Sequence, residues 1–132
     1  IATCREVDLF LPNAAEAALL CGEASTEAFI AWATDHGLSR AVVKRGAQGA
    51  LAMSGGVLSH VVPPTVEAVD TTGAGDAFNA GLIDAWLDDE PLGPALERAC
   101  ICGALCSTAP GALAALPHSP QLRTLRERTY RS

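Results

Sequence analysis

The residues of this chain that are best suited to chemistry lie in one run, Asp-Thr-Thr-Gly-Ala-Gly-Asp-Ala-Phe-Asn-Ala-Gly, at positions 70–81. Gly73 and Gly75 flank an alanine, and Asp76 follows where an apolar helical pattern begins. A glycine turn at a helix start can direct several backbone N–H groups at an anion, which the helix dipole also attracts. Asp76 would stand beside that anion as a proton acceptor. Such an arrangement suits transfer of a phosphoryl group to a hydroxyl.

Two common phosphate-binding motifs do not fit this run. It lacks the G-K-[ST] ending of a P-loop, and Phe78 stands where a dinucleotide fingerprint would need glycine. A Gly-Ala-Gly turn before a helix is, taken alone, more often only a tight connection. The longer run, which also holds Asp70, Thr72 and Gly81, is a far more specific signal.

This longer run resembles the D-T-x-G-A-G-D signature of the ribokinase-like (PfkB) carbohydrate kinases. The resemblance implies that Asp76 is the catalytic base. It implies that the N–H groups of Gly73, Ala74 and Gly75 form an anion hole for the transferred phosphoryl group. It also implies ATP as the phosphoryl donor, Mg²⁺ as the metal cofactor, and a small sugar or sugar acid as the acceptor.

The first polar residues of the run have more than one explanation. The resemblance makes Asp70 and Thr72 loop-shaping residues, with Thr72 beside the nucleotide. In some members of the family the residue at the position of Asp70 is part of a monovalent-cation site, so the resemblance also implies K⁺ as a possible ion. A carboxylate that stabilises an Asx-type turn explains Asp70 equally well.

Asn13 and Glu16 form an N-x-x-E pattern directly after a short apolar run. The resemblance makes them organisers of Mg²⁺ and phosphate, acting largely through water. One carboxylate with one amide suits a metal that keeps several of its waters. The alternative is that Asn13 caps a helix and Glu16 completes a capping box. Beside the run at 70–81, the metal role is the favoured interpretation.

Residues 44–49, Lys-Arg-Gly-Ala-Gln-Gly, are similar to the family's K-x-G-x-x-G element. Gly46 and Gly49 would let the backbone pass close to the nucleotide, and Lys44 would approach its phosphates as a point charge. A hairpin entry with a solvated basic pair explains Lys44 and Arg45 equally well.

The stretch 99–112 is similar to the segment that borders the adenine pocket in relatives. Gly111 and Ala112, together with Thr108, are compatible with a wall of that pocket. Cys100 stands where many relatives carry asparagine, which argues against a side-chain contact from Cys100 to the nucleotide.

Hydrophobic periodicity predicts the elements that position these residues. Helices are expected at 14–20, 26–36, 77–87, 94–108 and 121–131, the second capped by Thr26 and ended by Gly37. Strands are expected at 8–11 and 41–44, with a hairpin of 50–53 and 57–62 around Ser54-Gly55-Gly56. This order is α/β. The resemblance implies the C-terminal portion of a ribokinase-like three-layer α/β/α sandwich, which we expect to form a single partial domain, 1–132.

The amino-acid composition limits the classes of binding partner to be expected. The net charge of −6 argues against nucleic acid, because phosphate backbones select basic surfaces. Hydrophobic residues make up 49% and charged residues 18%, a balance that argues against disorder. No apolar run approaches the ~20 residues of a membrane span. No signal peptide is visible, and no membrane partner is expected; the cysteines, described next, favour a cytoplasmic protein.

Five cysteines, an odd number, favour free thiols in a reducing compartment over a disulfide framework. Three of them, Cys100, Cys102 and Cys106, have no C-x-x-C pair or histidine cluster beside them. Small apolar packing residues are therefore a better interpretation than a zinc site. The remaining two are Cys4 and Cys21.

Members of the family are roughly twice as long as this chain, whose matching part is the nucleotide-binding C-terminal half. The other half carries most of the sugar contacts. We therefore expect self-association or a complementary N-terminal half, because half of a sheet exposes an edge strand and apolar surface. Two rival hypotheses stay open: a catalytically incomplete nucleotide-binding fragment or interaction module, and an unrelated α/β domain with a coincidental turn.

Overall fold

The computed structural model of the protein describes residues 6–115 and 117–131, so Cys4 lies outside the described residues. The chain forms two compact units, which divide between His60 and Val61. Within the described residues, no helix is both long and apolar enough to cross a membrane.

Two helices form the helical part of the first unit. Helix α1 spans Ala14–Cys21 and ends at Gly22, which has φ +79°. Helix α2 spans Thr26–Asp35 and is capped by Ser25, whose hydroxyl accepts from the Ala28 N–H at 3.2 Å. The predicted cap at Thr26 was wrong by one residue, because either hydroxyl suits that role in sequence but only Ser25 has extended backbone.

Three strands form a sheet in the order β1-β2-β3, with β1 at Arg40–Lys44, β2 at Ala50–Ser54 and β3 at Val57–Val61. The predicted hairpin is confirmed, since Gly55 and Gly56 both have positive φ, which a two-residue turn between strands requires. Strands β1 and β2 pair antiparallel with Ala41 opposite Met53. Alternate residues of β1 therefore pack with α1 and α2 in one core, formed by Ala17, Phe29, Ala33, Leu38, Ala41, Val43 and Met53.

The predicted buried strand at Asp8–Leu11 was wrong in its extent. In the described part of the chain, this segment joins β1 by one isolated parallel bridge, Phe10 with Ala41, and a second such bridge follows it, Asn13 with Lys44. The Phe10 N–H donates to Arg40 O at 3.1 Å, and Phe10 O accepts from Val42 N at 2.8 Å. Among the described residues, the segment pairs with β1 on one side and is partly exposed, which its apolar sequence did not indicate.

The second unit is built around a close helix pair. Helix α3 spans Ala74–Leu87 and helix α4 spans Leu92–Cys106. Both predicted helices are confirmed, although α3 begins three residues earlier than expected. A Cβ built at Gly81 would lie 2.7 Å from Cys102 Sγ and 3.2 Å from Ala99 Cα, so the missing side chain permits this approach.

Helix α5, at Ser119–Tyr130, has no buried residue and carries several of the unit's ion pairs. Arg126 pairs with Glu97 at 3.0 Å, and the same carboxylate pairs with Arg131 at 3.3 Å. The Tyr130 hydroxyl donates to Val62 O at 2.8 Å. The expected polar surface helix is therefore present, and ion pairs, the Tyr130 hydroxyl and the packing of Leu122 against Cys102 and Cys106 connect it to the rest of its unit.

Candidate active site

The N-terminus of α3 presents unpaired donors. Gly73 is its N-cap, with φ +76° and ψ 0°, and no side chain caps the helix. The Ala74 N–H donates to Thr71 O at 3.1 Å, and the Ala77 N–H donates to Gly73 O at 2.9 Å. Within the described residues, no acceptor meets the N–H groups of Gly75 and Asp76, both of which are exposed. Two donors at the positive end of a helix dipole can therefore bind an anion.

Asp76 lies in the first turn of this helix, as the sequence predicted. Its side chain is exposed, and among the residues that the structure describes none forms a hydrogen bond or ion pair with its carboxylate. This carboxylate belongs to the same residue as one of the two free N–H groups and is next in the chain to the other, so it is available to accept a proton from a hydroxyl beside a bound anion.

Gly73 also makes the closest approach of the site. A Cβ built on it would lie 2.5 Å from Ala112 Cβ and 3.2 Å from Ala112 Cα. Any larger residue would therefore push apart two loops, the glycine turn at 70–73 and the turn at 111–112. The positive φ of Gly73 adds a second reason for glycine, because a Cβ is strained in that backbone conformation.

Asp70 joins the same two loops through its carboxylate. One oxygen accepts from the Thr72 hydroxyl at 2.6 Å and from the Thr72 N–H at 2.9 Å. The other oxygen accepts from the Gly111 N–H at 2.9 Å. These donors, the Thr72 hydroxyl foremost and then the backbone of Gly111 and Thr72, lower the pKa of Asp70 to about 2. The Asx-type turn that was one of two explanations is present, together with a contact across the loops.

Two residues at the end of α4 support these loops, and sequence reasoning did not single out either for the site. Ser107 O accepts from the N–H groups of Val69 and Asp70, at 2.8 and 3.1 Å. Cys106 is fully buried, and its Sγ lies 3.7 Å from Thr72 O and 3.4 Å from Ala112 O. No sequence motif identifies either residue, because their role arises only when the C-terminal end of α4 packs beside the two loops.

The cysteines of α4 are packing residues, as predicted, since Cys100, Cys102 and Cys106 are all buried as free thiols. Burial raises the pKa of the Cys100 thiol to about 12. Among the described residues, no group of three or more His, Cys, Asp or Glu side chains is arranged to hold a metal ion.

In the first unit, Asn13 and Glu16 form a reciprocal capping box at the start of α1. Asn13 Oδ1 accepts from the Glu16 N–H, and Glu16 Oε2 accepts from the Asn13 N–H, both at 2.8 Å. Both residues are exposed. Only Oε2 of Glu16 takes part in this pair of bonds, so the other carboxylate oxygen is outside it. The local arrangement is the capping box that the sequence allowed, with one carboxylate oxygen left over.

The Lys44–Gly49 element begins at the last residue of β1 and contains a single 3₁₀ turn at Gly46–Gln48. Gly46 has φ +57°, and Gly49 has φ +89° with ψ −152°, so both glycines hold conformations that other residues rarely adopt. The Arg45 N–H closes the turn on Gly49 O at 2.8 Å. The Lys44 N–H donates to Pro12 O at 3.0 Å. The structure therefore brings Asn13 and this element together at one end of β1.

Comparison with known proteins identifies the group to which these features belong. The model of the pfkB family of carbohydrate kinases matches residues 2–119. The chain belongs to this family. The ribokinase-like family assignment made from the D-T-T-G-A-G-D run is thereby confirmed, and the hypothesis of an unrelated domain is excluded.

Individual pfkB kinases are similar over most of the chain. An aminoimidazole riboside kinase of Salmonella typhimurium is 42% identical over 96 residues, which is 68% of this chain and 30% of that protein. A structure from Escherichia coli with ATP and Mg²⁺, described as a ribokinase II, is 32% identical with a TM-score of 0.87 over 96% of this chain and 41% of the other. A double-mutant fructokinase of Vibrio cholerae with fructose, ADP and a potassium ion is 31% identical, with a TM-score of 0.79 over 89% of this chain and 40% of the other.

These likenesses establish the fold as α/β of the ribokinase type, as predicted. The chain spans only 30% to 41% of the length of these pfkB relatives.

Proposed function

We propose that the chain is the nucleotide-binding part of an ATP-dependent kinase that phosphorylates a hydroxyl of a small sugar or sugar acid. The observation that carries this proposal is the N-terminus of α3, where the N–H groups of Gly75 and Asp76 lack an internal acceptor. Membership of the pfkB family gives the same chemistry independent support. The anion that these donors bind is a phosphate of ATP.

In this reaction, the sugar hydroxyl oxygen attacks the γ-phosphorus, and the bond from that phosphorus to the bridging oxygen breaks to release ADP. Asp76 accepts the hydroxyl proton, for which its free and exposed carboxylate is suited. The anion hole at Gly73, Ala74 and Gly75 stabilises charge on the transferred group. The Ala74 N–H is already bonded to Thr71 O at 3.1 Å, so the donors left for this work in the anion hole are the Gly73 and Gly75 N–H groups.

The first unit is proposed to bind the hydrated metal. Mg²⁺ prefers oxygen ligands and keeps several waters, so the free oxygen of Glu16 and the second lone pair of Asn13 Oδ1 fit contact through water. The metal would neutralise charge on the phosphates. Lys44 contributes a positive charge, and the backbone at Gly46 and Gly49 passes close to the nucleotide.

The nucleotide's other contacts are proposed at Thr72, Gly111 and Ala112. Gly111 is exposed, and a Cβ at that position would meet no atom within 4 Å, which leaves room for a ligand beside the turn. Asp70 is the proposed carboxylate of a K⁺ site, in line with the potassium ion in the Vibrio cholerae fructokinase structure. Its bonds to Thr72 and Gly111 make loop stabilisation its first role.

The alternative function is a nucleotide-binding fragment or interaction module without catalysis of its own. None of the residues assigned above binds the sugar acceptor, and such a module would bind ATP without transferring its phosphate. In either case, we propose that the one-sided edge at Phe10 is covered by a second copy or by a complementary N-terminal half. We further propose that the protein acts in the cytoplasm.

Calorimetric titration of MgATP into the chain tests the proposal, with Asp76→Asn and Gly75→Val as site variants. We expect binding to persist in Asp76→Asn, because its N–H is retained, and to be lost in Gly75→Val, whose side chain covers the donors. Ala80→Val is the matched control, since it places the same side chain at an exposed position of α3 away from its N-terminus. Absence of heat from folded wild-type chain would contradict a self-sufficient nucleotide site.

Sugar-dependent ADP formation separates the two functions. A kinase should lose about 10²- to 10⁴-fold of its rate in Asp76→Asn, the usual contribution of a general base. Nucleotide binding without ADP formation for any sugar tested, in the chain alone and with a complementary N-terminal half, would favour the non-catalytic module.

A further inference from the structure

Cys106, the last residue of α4, lies beneath the two loops that form the anion site. It is fully buried, and its Sγ is 3.7 Å from Thr72 O and 3.4 Å from Ala112 O. A thiol has one proton, so it can donate to only one of these carbonyls at a time, while the sulfur contacts both. Thr72 precedes Gly73, and Ala112 is the residue that Gly73 approaches, so both carbonyls lie beside this close contact of the two loops.

The two loops are joined on their exposed side by Asp70, which accepts from the Gly111 N–H at 2.9 Å. On the buried side, the Cys106 thiol contacts both loops. We propose that Cys106 is a positioning residue, whose thiol sets the separation of the Thr72 and Ala112 carbonyls and thereby the direction of the donors at the N-terminus of α3. The functional part of this inference rests on the nucleotide site proposed above.

Cys102 offers a matched comparison on the same helix. It is also a buried free thiol, one turn earlier, but its Sγ faces Gly81 of α3, whose added Cβ would lie 2.7 Å from it. Truncation at either position removes one buried sulfur from α4. Only truncation at Cys106 withdraws a contact from Thr72 and Ala112, so the two variants separate a positioning role from packing.

The test measures amide hydrogen exchange and MgATP affinity in wild type, Cys106→Ala, Cys106→Ser and Cys102→Ala. In Cys106→Ala, we expect the Gly111 and Ala74 amides to exchange about tenfold faster than in Cys102→Ala, after correction for global stability. The MgATP dissociation constant should rise about tenfold in Cys106→Ala alone, equivalent to about 1.4 kcal/mol. Cys106→Ser keeps a donor at the same place and should restore most of both properties.

Equal changes in Cys106→Ala and Cys102→Ala would overturn the inference, as would a Cys106→Ser variant that behaves like Cys106→Ala. If Cys106→Ala does not fold, Cys106→Val takes its place, because valine is close in size to cysteine but has no donor, and it should differ from Cys106→Ser in both measurements. A wild-type chain that binds no MgATP would count against the proposed nucleotide site. The exchange of Gly111 would still decide whether Cys106 positions the loops.

Discussion

Replacing Gly73 by alanine is the sharpest perturbation of the site. An alanine at φ +76° is strained by about 1–2 kcal/mol. Its Cβ would also lie 2.5 Å from Ala112 Cβ, and overpacking of this kind costs about 1–3 kcal/mol. The two terms sum to a loss of about 2–5 kcal/mol in the free energy of unfolding, or less where the turn at 111–112 opens instead.

Gly111→Ala is the control that isolates the contact. Gly111 has φ +77°, nearly the same as Gly73, but an added Cβ there meets nothing within 4 Å. It should therefore cost only the backbone term of about 1–2 kcal/mol. Urea unfolding of wild type and both variants, followed by circular dichroism, gives the free energies to compare.

The difference between the two alanine variants should be about 1–3 kcal/mol, the overpacking term alone. If the 111–112 turn moves aside, the Gly111 amide, which donates to Asp70, should lose protection from hydrogen exchange in Gly73→Ala. Equal losses of stability in both variants, with Gly111 protected as in wild type, would refute the close approach of Gly73 to Ala112.

Three further predictions concern Asp70, the capping box and the helix pair. Folding lowers the pKa of Asp70 from 3.8 to about 2, so the stability that its carboxylate contributes is complete above pH 3.8 and is lost as the pH falls towards 2. Unfolding experiments across this pH range should show that loss in wild type and not in Asp70→Asn. Glu16→Gln should keep the capping box and the thermal stability but weaken Mg²⁺-dependent nucleotide binding, whereas a residue that only caps α1 would leave that binding unchanged. Gly81→Ala should lower the free energy of unfolding by about 1–3 kcal/mol, because its Cβ would lie 2.7 Å from Cys102 Sγ; a melting temperature equal to wild type would contradict the close packing of α3 on α4.

Local features of the fold were predictable because the forces behind them act over a few residues. Gly55 and Gly56 specify a two-residue hairpin turn, and Asn13 with Glu16 specifies a capping box, both within four positions of the chain. The segment at 8–11 was less predictable, because an apolar run does not indicate whether a strand formed from it will pair along one edge or along both.

The sequence by itself determined the family, the glycine turn and the place of Asp76 in the first turn of a helix, since each depends on neighbouring letters of one run. Only the tertiary structure decided that Asp70 bonds to Gly111, 41 positions away, and that Gly73 touches Ala112. It also gave Cys106 its place beneath both loops. These contacts join residues far apart in the chain across the packed helices α3 and α4, and no local pattern of residues specifies how closely two such helices approach.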